Sequence, residues 1–139
     1  IIVNGLLFFV LAGLHFYWVL GGKLFLASAV PAPFVDRFKN LNTKPTYTIA
    51  TALVGTVLSL FGVMTLLNLS YFSLGELHTL VVLATRIVAA IFVIRAIGDF
   101  KYVGFFKTEK AGQFAKADTQ LYNPLCLYLG LSLLLITML

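Results

Sequence analysis

Four runs of nearly unbroken apolar sequence constrain this chain more than any other feature. They cover about residues 1–20, 47–69, 77–98 and 120–139. A helix needs roughly 20 residues to cross the hydrocarbon core of a bilayer, and each run has that length. In hydrocarbon every backbone N–H and C=O must be paired within the protein, so an isolated run of this kind is helical. Strands of a membrane barrel would be about half as long and would alternate polar and apolar residues. No such alternation occurs. With 60% hydrophobic and 11% charged residues, the chain has too little polar sequence to face a soluble core with water. The predicted fold is all-α, an antiparallel four-helix transmembrane bundle forming a single domain over residues 1–139. A signal peptide is the competing reading of the first run, with Ala27-Ser28-Ala29 as its cleavage site. That run lacks a basic leader and is long for one, so it reads as a span.

The cations lie between the spans. Connection 21–46 holds Lys23, Arg37, Lys39 and Lys44, connection 99–119 holds Lys101, Lys107, Lys110 and Lys116, and connection 70–76 holds none. By the positive-inside rule the first and third connections are cytoplasmic and both termini lie outside. The net charge of +5 follows these loops rather than a helix face or groove. The expected partners are therefore anionic membrane lipids and not nucleic acid. Within the first connection, LFLASAV closed by Pro31 and Pro33 reads as an interfacial turn. In the second span, Thr48, Thr51, Gly55, Ser59 and Gly62 follow the small-xxx-small rhythm of closely packed membrane helices.

The stretch from Arg95 to Cys126 gathers most of the charge of the second half among aromatic residues. Arg95 and Asp99 are four residues apart, a spacing at which helical side chains pair. His15 and Trp18, three apart, share a face of the first helix with Asn4, Phe8 and Leu11. Helix direction puts His15, Trp18, Arg95, Asp99, Tyr122 and Cys126 at one depth, where they can line a pocket under the cytoplasmic loops. A histidine beside a carboxylate can relay protons; an interfacial polar layer of aromatic and basic residues is the plainer expectation. Pro124 suits the first turn of the fourth helix.

Arg86 is the most unusual residue, a cation near the middle of the third span. Such a charge costs a few kcal/mol to insert and faces a partner or a cavity. None of the four apolar interiors contains Asp or Glu, which leaves Thr56, Ser59, Ser132 and backbone carbonyls as acceptors. Arg86 therefore either holds an anionic or carbonyl-bearing ligand, pairs with an acidic residue of another subunit, or bonds to hydroxyls and snorkels. No cofactor is expected. His15 and His78 sit at opposite ends of their helices, about 15 Å apart in rise, too far to share a haem iron. The ligands for a zinc site are lacking, and the single cysteine, Cys126, excludes a multi-cysteine metal site or an intrachain disulfide.

HFYWVLGGK around His15, RAIGDFKYVGFFK from Arg95 and FAKADTQLYNPLC ending at Cys126 resemble a family of small bacterial four-helix membrane proteins catalogued as a domain of unknown function. The resemblance spans all four helices and is strongest in the third connection, with Asn123 standing where a serine is expected. It implies four spans and a bacterial inner (plasma) membrane, and it assigns no activity, cofactor or catalytic residue. Three roles are compatible with these residues. The first is a non-enzymatic accessory or structural subunit of a larger membrane complex or homo-oligomer, motivated by the small size, the lack of a domain outside the membrane, the small-residue face of the second span and Arg86 lacking an internal partner. The second is a binding protein for a lipid, quinone or other amphipathic molecule in the pocket under the loops. The third, ranked last, is a membrane enzyme using His15 and Asp99 for proton transfer. The spacing shows no nucleophile–base pair or phosphate loop, so no catalytic residue is assigned.

Overall fold

The computed structural model describes residues 1–29, 45–69 and 74–139. Among the described residues all regular structure is helical: α1 (Ile2–Val19), α2 (Leu26–Ala29), α3 (Pro45–Leu66), α4 (Leu77–Ile97), α5 (Gln113–Ala117), a π-helical turn (Asp118–Tyr122) and α6 (Asn123–Met138). The end of the proposed interfacial turn at Pro31 and Pro33, and the cations Arg37, Lys39 and Lys44, lie outside the described residues.

Four stretches are long and apolar enough to cross a membrane: Ile2–Val19, Thr48–Leu66, Leu77–Ile97 and Gln113–Met138. Only 22–28% of each is buried inside the protein. Leu53, Leu60, Leu80, Leu83, Ile87, Ile91 and Leu135 all face outward. In water that surface would be one large apolar patch, whereas in hydrocarbon it needs no cover. The fold is thus an antiparallel four-helix bundle of membrane-spanning helices.

The bundle is built from two helix pairs, α1 with α3 and α4 with α6. Small residues set how closely each pair approaches. Gly55 of α3 receives the Phe16 ring, a Cβ there lying only 3.1 Å from it, and Gly62 receives Phe9 in the same way. The small-residue rhythm of the second span therefore serves packing on α1. In the other pair a Cβ on Gly130 would stand 3.0 Å from the Ala89 carbonyl. The two pairs meet around Phe8, whose ring lies 5.9 Å from Phe61 and 5.4 Å from Phe92. Ala12, Leu58, Val88, Ala89, Leu129 and Leu133 complete this core. Asn4 and Asn68, both polar groups in apolar surroundings, are satisfied across helices. Asn4 Nδ2 donates to Ser132 Oγ at 2.8 Å and Asn68 Nδ2 to Thr85 Oγ1 at 3.0 Å. Interhelical bonds of this kind contribute about 0.6 kcal/mol each in membrane bundles.

The fourth spanning stretch begins at Gln113 and not at Gln120, because a polar helical segment continues the apolar one beyond the hydrocarbon. This brings Asp118, which precedes the apolar run, inside a helical segment.

Candidate functional site

The polar centre of the molecule is Asp118. It is fully buried, and its carboxylate is shared by two cations and a backbone amide. Oδ1 accepts from Arg95 Nη2 at 2.8 Å, while Oδ2 accepts from Gly104 N at 2.9 Å and Lys107 Nζ at 3.1 Å. Lys107 is buried too, and its ammonium also donates to the Gly104 carbonyl and to Thr119 Oγ1. All three of its protons are therefore used. The Arg95 side chain is 32% exposed, so the cluster is closed on the Lys107 side and partly open on the Arg95 side.

Local sequence explains how these groups meet. Gly98, at φ +86°, ends α4 and turns the chain back. A side chain on Gly98 would collide with the Val103 carbonyl, and one on Gly104 with the Ile97 carbonyl, so the two glycines lie against one another. That close approach carries the Gly104 N–H and Lys107 to Asp118. Asp99 fixes the turn from below. Its Oδ1 accepts from the amides of Lys101, Tyr102 and Val103 at 2.8–3.0 Å. These bonds to the charged form, Lys101 first, hold the Asp99 carboxyl below its ordinary range.

The second device is the π-turn. Pro124 lacks the N–H that would bond the carbonyl of residue 120, and its ring crowds that carbonyl, so an ordinary α-turn is disfavoured there. In an α-helix, residues five apart point about 140° away from each other. The i→i+5 bonding of a π-turn puts more residues into the turn and narrows that angle. Asp118 and Asn123 are five apart, and both reach Arg95: Asn123 Oδ1 accepts from Arg95 Nη1 at 3.4 Å. Asn123 is completely buried, and its Nδ2 has no hydrogen-bond partner among the described residues.

The residues expected to share one pocket are divided among several settings. Arg95 is in the cluster, but the Arg95–Asp99 pair does not form. Gly98 ends the helix before Asp99, so the four-residue spacing no longer places the two side chains on one helical face. Asp99 is exposed, with its carboxylate committed to the loop backbone. His15 Nδ1 is 2.7 Å from the Leu11 carbonyl, with the Trp18 ring 5.0 Å away, and Trp18 Nε1 donates to the Leu24 carbonyl. Among the described residues no hydrogen bond or ring contact joins this pair to Arg95, Asp99 or Tyr122. Tyr122 stacks near Phe114, and its hydroxyl lies 3.4 Å from Ser28 Oγ, linking α2 to the π-turn. Cys126 follows Asn123 by one turn of α6 and is half-buried. Among the described residues no group of three or more His, Cys, Asp or Glu side chains is placed to hold a metal ion.

Arg86 meets neither Thr56, Ser59 nor Ser132. Side chains lean toward the N-terminus of their helix, which on α4 is the end away from the lysine-rich loops. The guanidinium follows that lean to Thr137, with Nε donating to Oγ1 at 3.4 Å and Nη2 to the carbonyl at 3.2 Å.

Asp118, Lys107 and Asn123 were not among the residues singled out as site candidates by sequence. Their signal is the spacing Asp118–Asn123–Pro124, which acquires meaning only once the proline is seen to force a π-turn.

A bundle of four membrane-spanning helices, closed at its lysine-rich end by a buried carboxylate and two cations, defines the class of this protein. A family model described as "Protein of unknown function (DUF3995)" matches residues 8–133, a range that reaches into all four spanning helices and contains the whole cluster, and the chain belongs to that family. No curated protein and no solved structure matches it.

Proposed function

We propose that this is a non-enzymatic membrane protein that binds an amphipathic small molecule, a lipid or quinone, through a carbonyl or anionic oxygen in its head group. Asn123 carries this reading. A buried amide donor without an acceptor costs about 1–3 kcal/mol, and here it sits beside a guanidinium that is one-third open and has donors to spare. The cluster contains two cations against one carboxylate, so an incoming oxygen meets surplus positive charge. The lysines of the flanking loops support placing this end on the cytoplasmic side of a bacterial inner membrane, with both termini outside.

Arg86 has two hydrogen bonds to Thr137 and no acidic partner among the described residues, which leaves the subunit reading second. The proton-transfer reading needs His15 near Asp99, and no hydrogen bond joins them. The test is native mass spectrometry of the protein extracted gently from its own membrane, wild type beside Asn123→Leu. The expected result is a defined small adduct on the wild type that the variant loses. A bare wild type together with a more stable variant would overturn the proposal, since the amide would then be an unsatisfied group and nothing more. A second polypeptide in the wild-type mass would restore the subunit reading.

A further inference from the structure

A separate cleft opens at the same end of the molecule, between the α1–α2 connection and the first two turns of the fourth spanning stretch. Its volume is about 420 Å³. One wall is Lys23, Phe25 and Ser28, and the other is Gln113, Lys116 and Gln120. The last three recur at steps of three and four, so they present a single helical face. Among the described residues, Lys23 and Lys116 are the charged groups of the wall, no carboxylate lines it, and neither lysine is in an ion pair.

Two observations place the cleft at headgroup depth. Lys23 follows the end of α1 at Val19 by one turn's length of chain, where the hydrocarbon stops. Phe25, which lines the cleft, and its chain neighbour Leu24 are exposed. Phe25 moreover stands at φ +62°, a left-handed conformation that is strained for a bulky side chain. The backbone is thus held so that an aromatic ring faces outward beside a cationic hollow. Aromatic rings and lysines in this arrangement are what the membrane–water interface favours.

We infer that this cleft binds the headgroup of an anionic phospholipid. Lys23 and Lys116 bracket the phosphate, the amides of Gln113 and Gln120 donate to the remaining headgroup oxygens, and Phe25 and Leu24 lie along the upper part of the acyl chains. Phosphate chemistry alone would also attract free inorganic phosphate. The apolar rim favours the lipid, because a free ion gains nothing from it.

The experiment is lipid retention after detergent exchange, read by native mass spectrometry with phosphatidylglycerol against phosphatidylcholine. The wild type is compared with Lys23→Gln, Lys116→Gln and the double variant, and with Lys110→Gln, an exposed lysine of the third connection outside the cleft. Wild type is expected to prefer phosphatidylglycerol. Each cleft lysine removed should weaken that preference about fivefold, the loss expected for one basic residue at an anionic surface. Lys110→Gln should leave it unchanged. Equal retention of the two lipids, an equal loss with Lys110→Gln, or displacement of the lipid by inorganic phosphate at comparable concentration would each overturn the inference. If a cleft variant does not fold, the wild-type preference is measured at low and high salt. It should fall as salt rises, and a salt-independent preference would also overturn the inference.

Discussion

Helix α4 carries two arginines, and the protein treats them oppositely. Arg95 is drawn into a buried cluster where a carboxylate, a second cation, an amide oxygen and a glycine N–H are all fixed around it. Arg86 is exposed and has, among the described residues, only the hydroxyl and carbonyl of Thr137, at 3.2–3.4 Å. The difference lies in what folding brings to each. Near the lysine-rich end a loop folds down onto the helix and supplies counter-charge and backbone donors. Farther along, the surroundings are lipid and helix ends, and a long side chain reaches for the nearest acceptor. A charge can be enclosed where its whole shell is supplied, and elsewhere it must lean toward one end.

The sharpest way to break this comparison is to remove the shared carboxylate. Asp118→Asn leaves Lys107 buried without a counter-charge, and removing one partner of a buried pair costs about 3–5 kcal/mol. Unfolding in mixed micelles should show a loss of that size, and a loss below about 1 kcal/mol would mean that water already reaches Lys107. The triple variant Arg95→Met, Lys107→Met, Asp118→Leu sharpens the point. Replacing an entire buried ionic group by apolar residues is often neutral or stabilising, so its stability should return close to that of the wild type. Ligand retention should not return, because Arg95 is gone. If both return, the cluster serves stability alone.

The spans were legible because bilayer thickness imposes a length and lipid tolerates no unpaired backbone, so hydropathy reports them directly. The packing role of Gly55 and Gly62 was legible for a similar reason, their period being that of the helix they lie on. The cluster was not. Gln113–Thr119 is polar and reads as loop, although it continues the fourth helix beyond the apolar stretch. Asp118 and Asn123 point apart under α-helical periodicity and come together only through the π-turn before Pro124. Arg95 and Asp99 have the spacing of a helical pair, but Gly98 ends the helix between them. The last two misses each come from a single residue, Pro124 or Gly98, that changes the local geometry, and periodic reasoning assumes that geometry is constant.

Arg86 should respond far less than Asp118. Two long hydrogen bonds contribute about 1 kcal/mol together, whereas a central arginine costs roughly 2.5–3.5 kcal/mol on insertion scales. Arg86→Leu is therefore expected to leave stability unchanged or to raise it by up to about 2 kcal/mol in the same unfolding assay. A loss beyond 2 kcal/mol would show that Arg86 has a stronger partner than Thr137, and the asymmetry between the two arginines would disappear.

The smallest effect belongs to Asp99, which is exposed and holds only the turn after α4. Its carboxyl is lowered from an ordinary value of 3.8 by the amides it accepts from. A group whose folded pKa lies below its unfolded one contributes stability that is complete above the unfolded value and is lost as pH falls through the folded one. The window for Asp99 therefore opens near pH 3.8 and extends downward. Asp99→Asn keeps an oxygen that can accept the same amides but carries no titrating charge. The stability difference between wild type and Asp99→Asn should be constant at neutral pH and shrink as the solution is acidified below about pH 4. A difference that does not change with pH would mean that the Asp99 charge adds nothing to the turn. Gly98 and Gly104 would then be sufficient to carry Lys107 to Asp118.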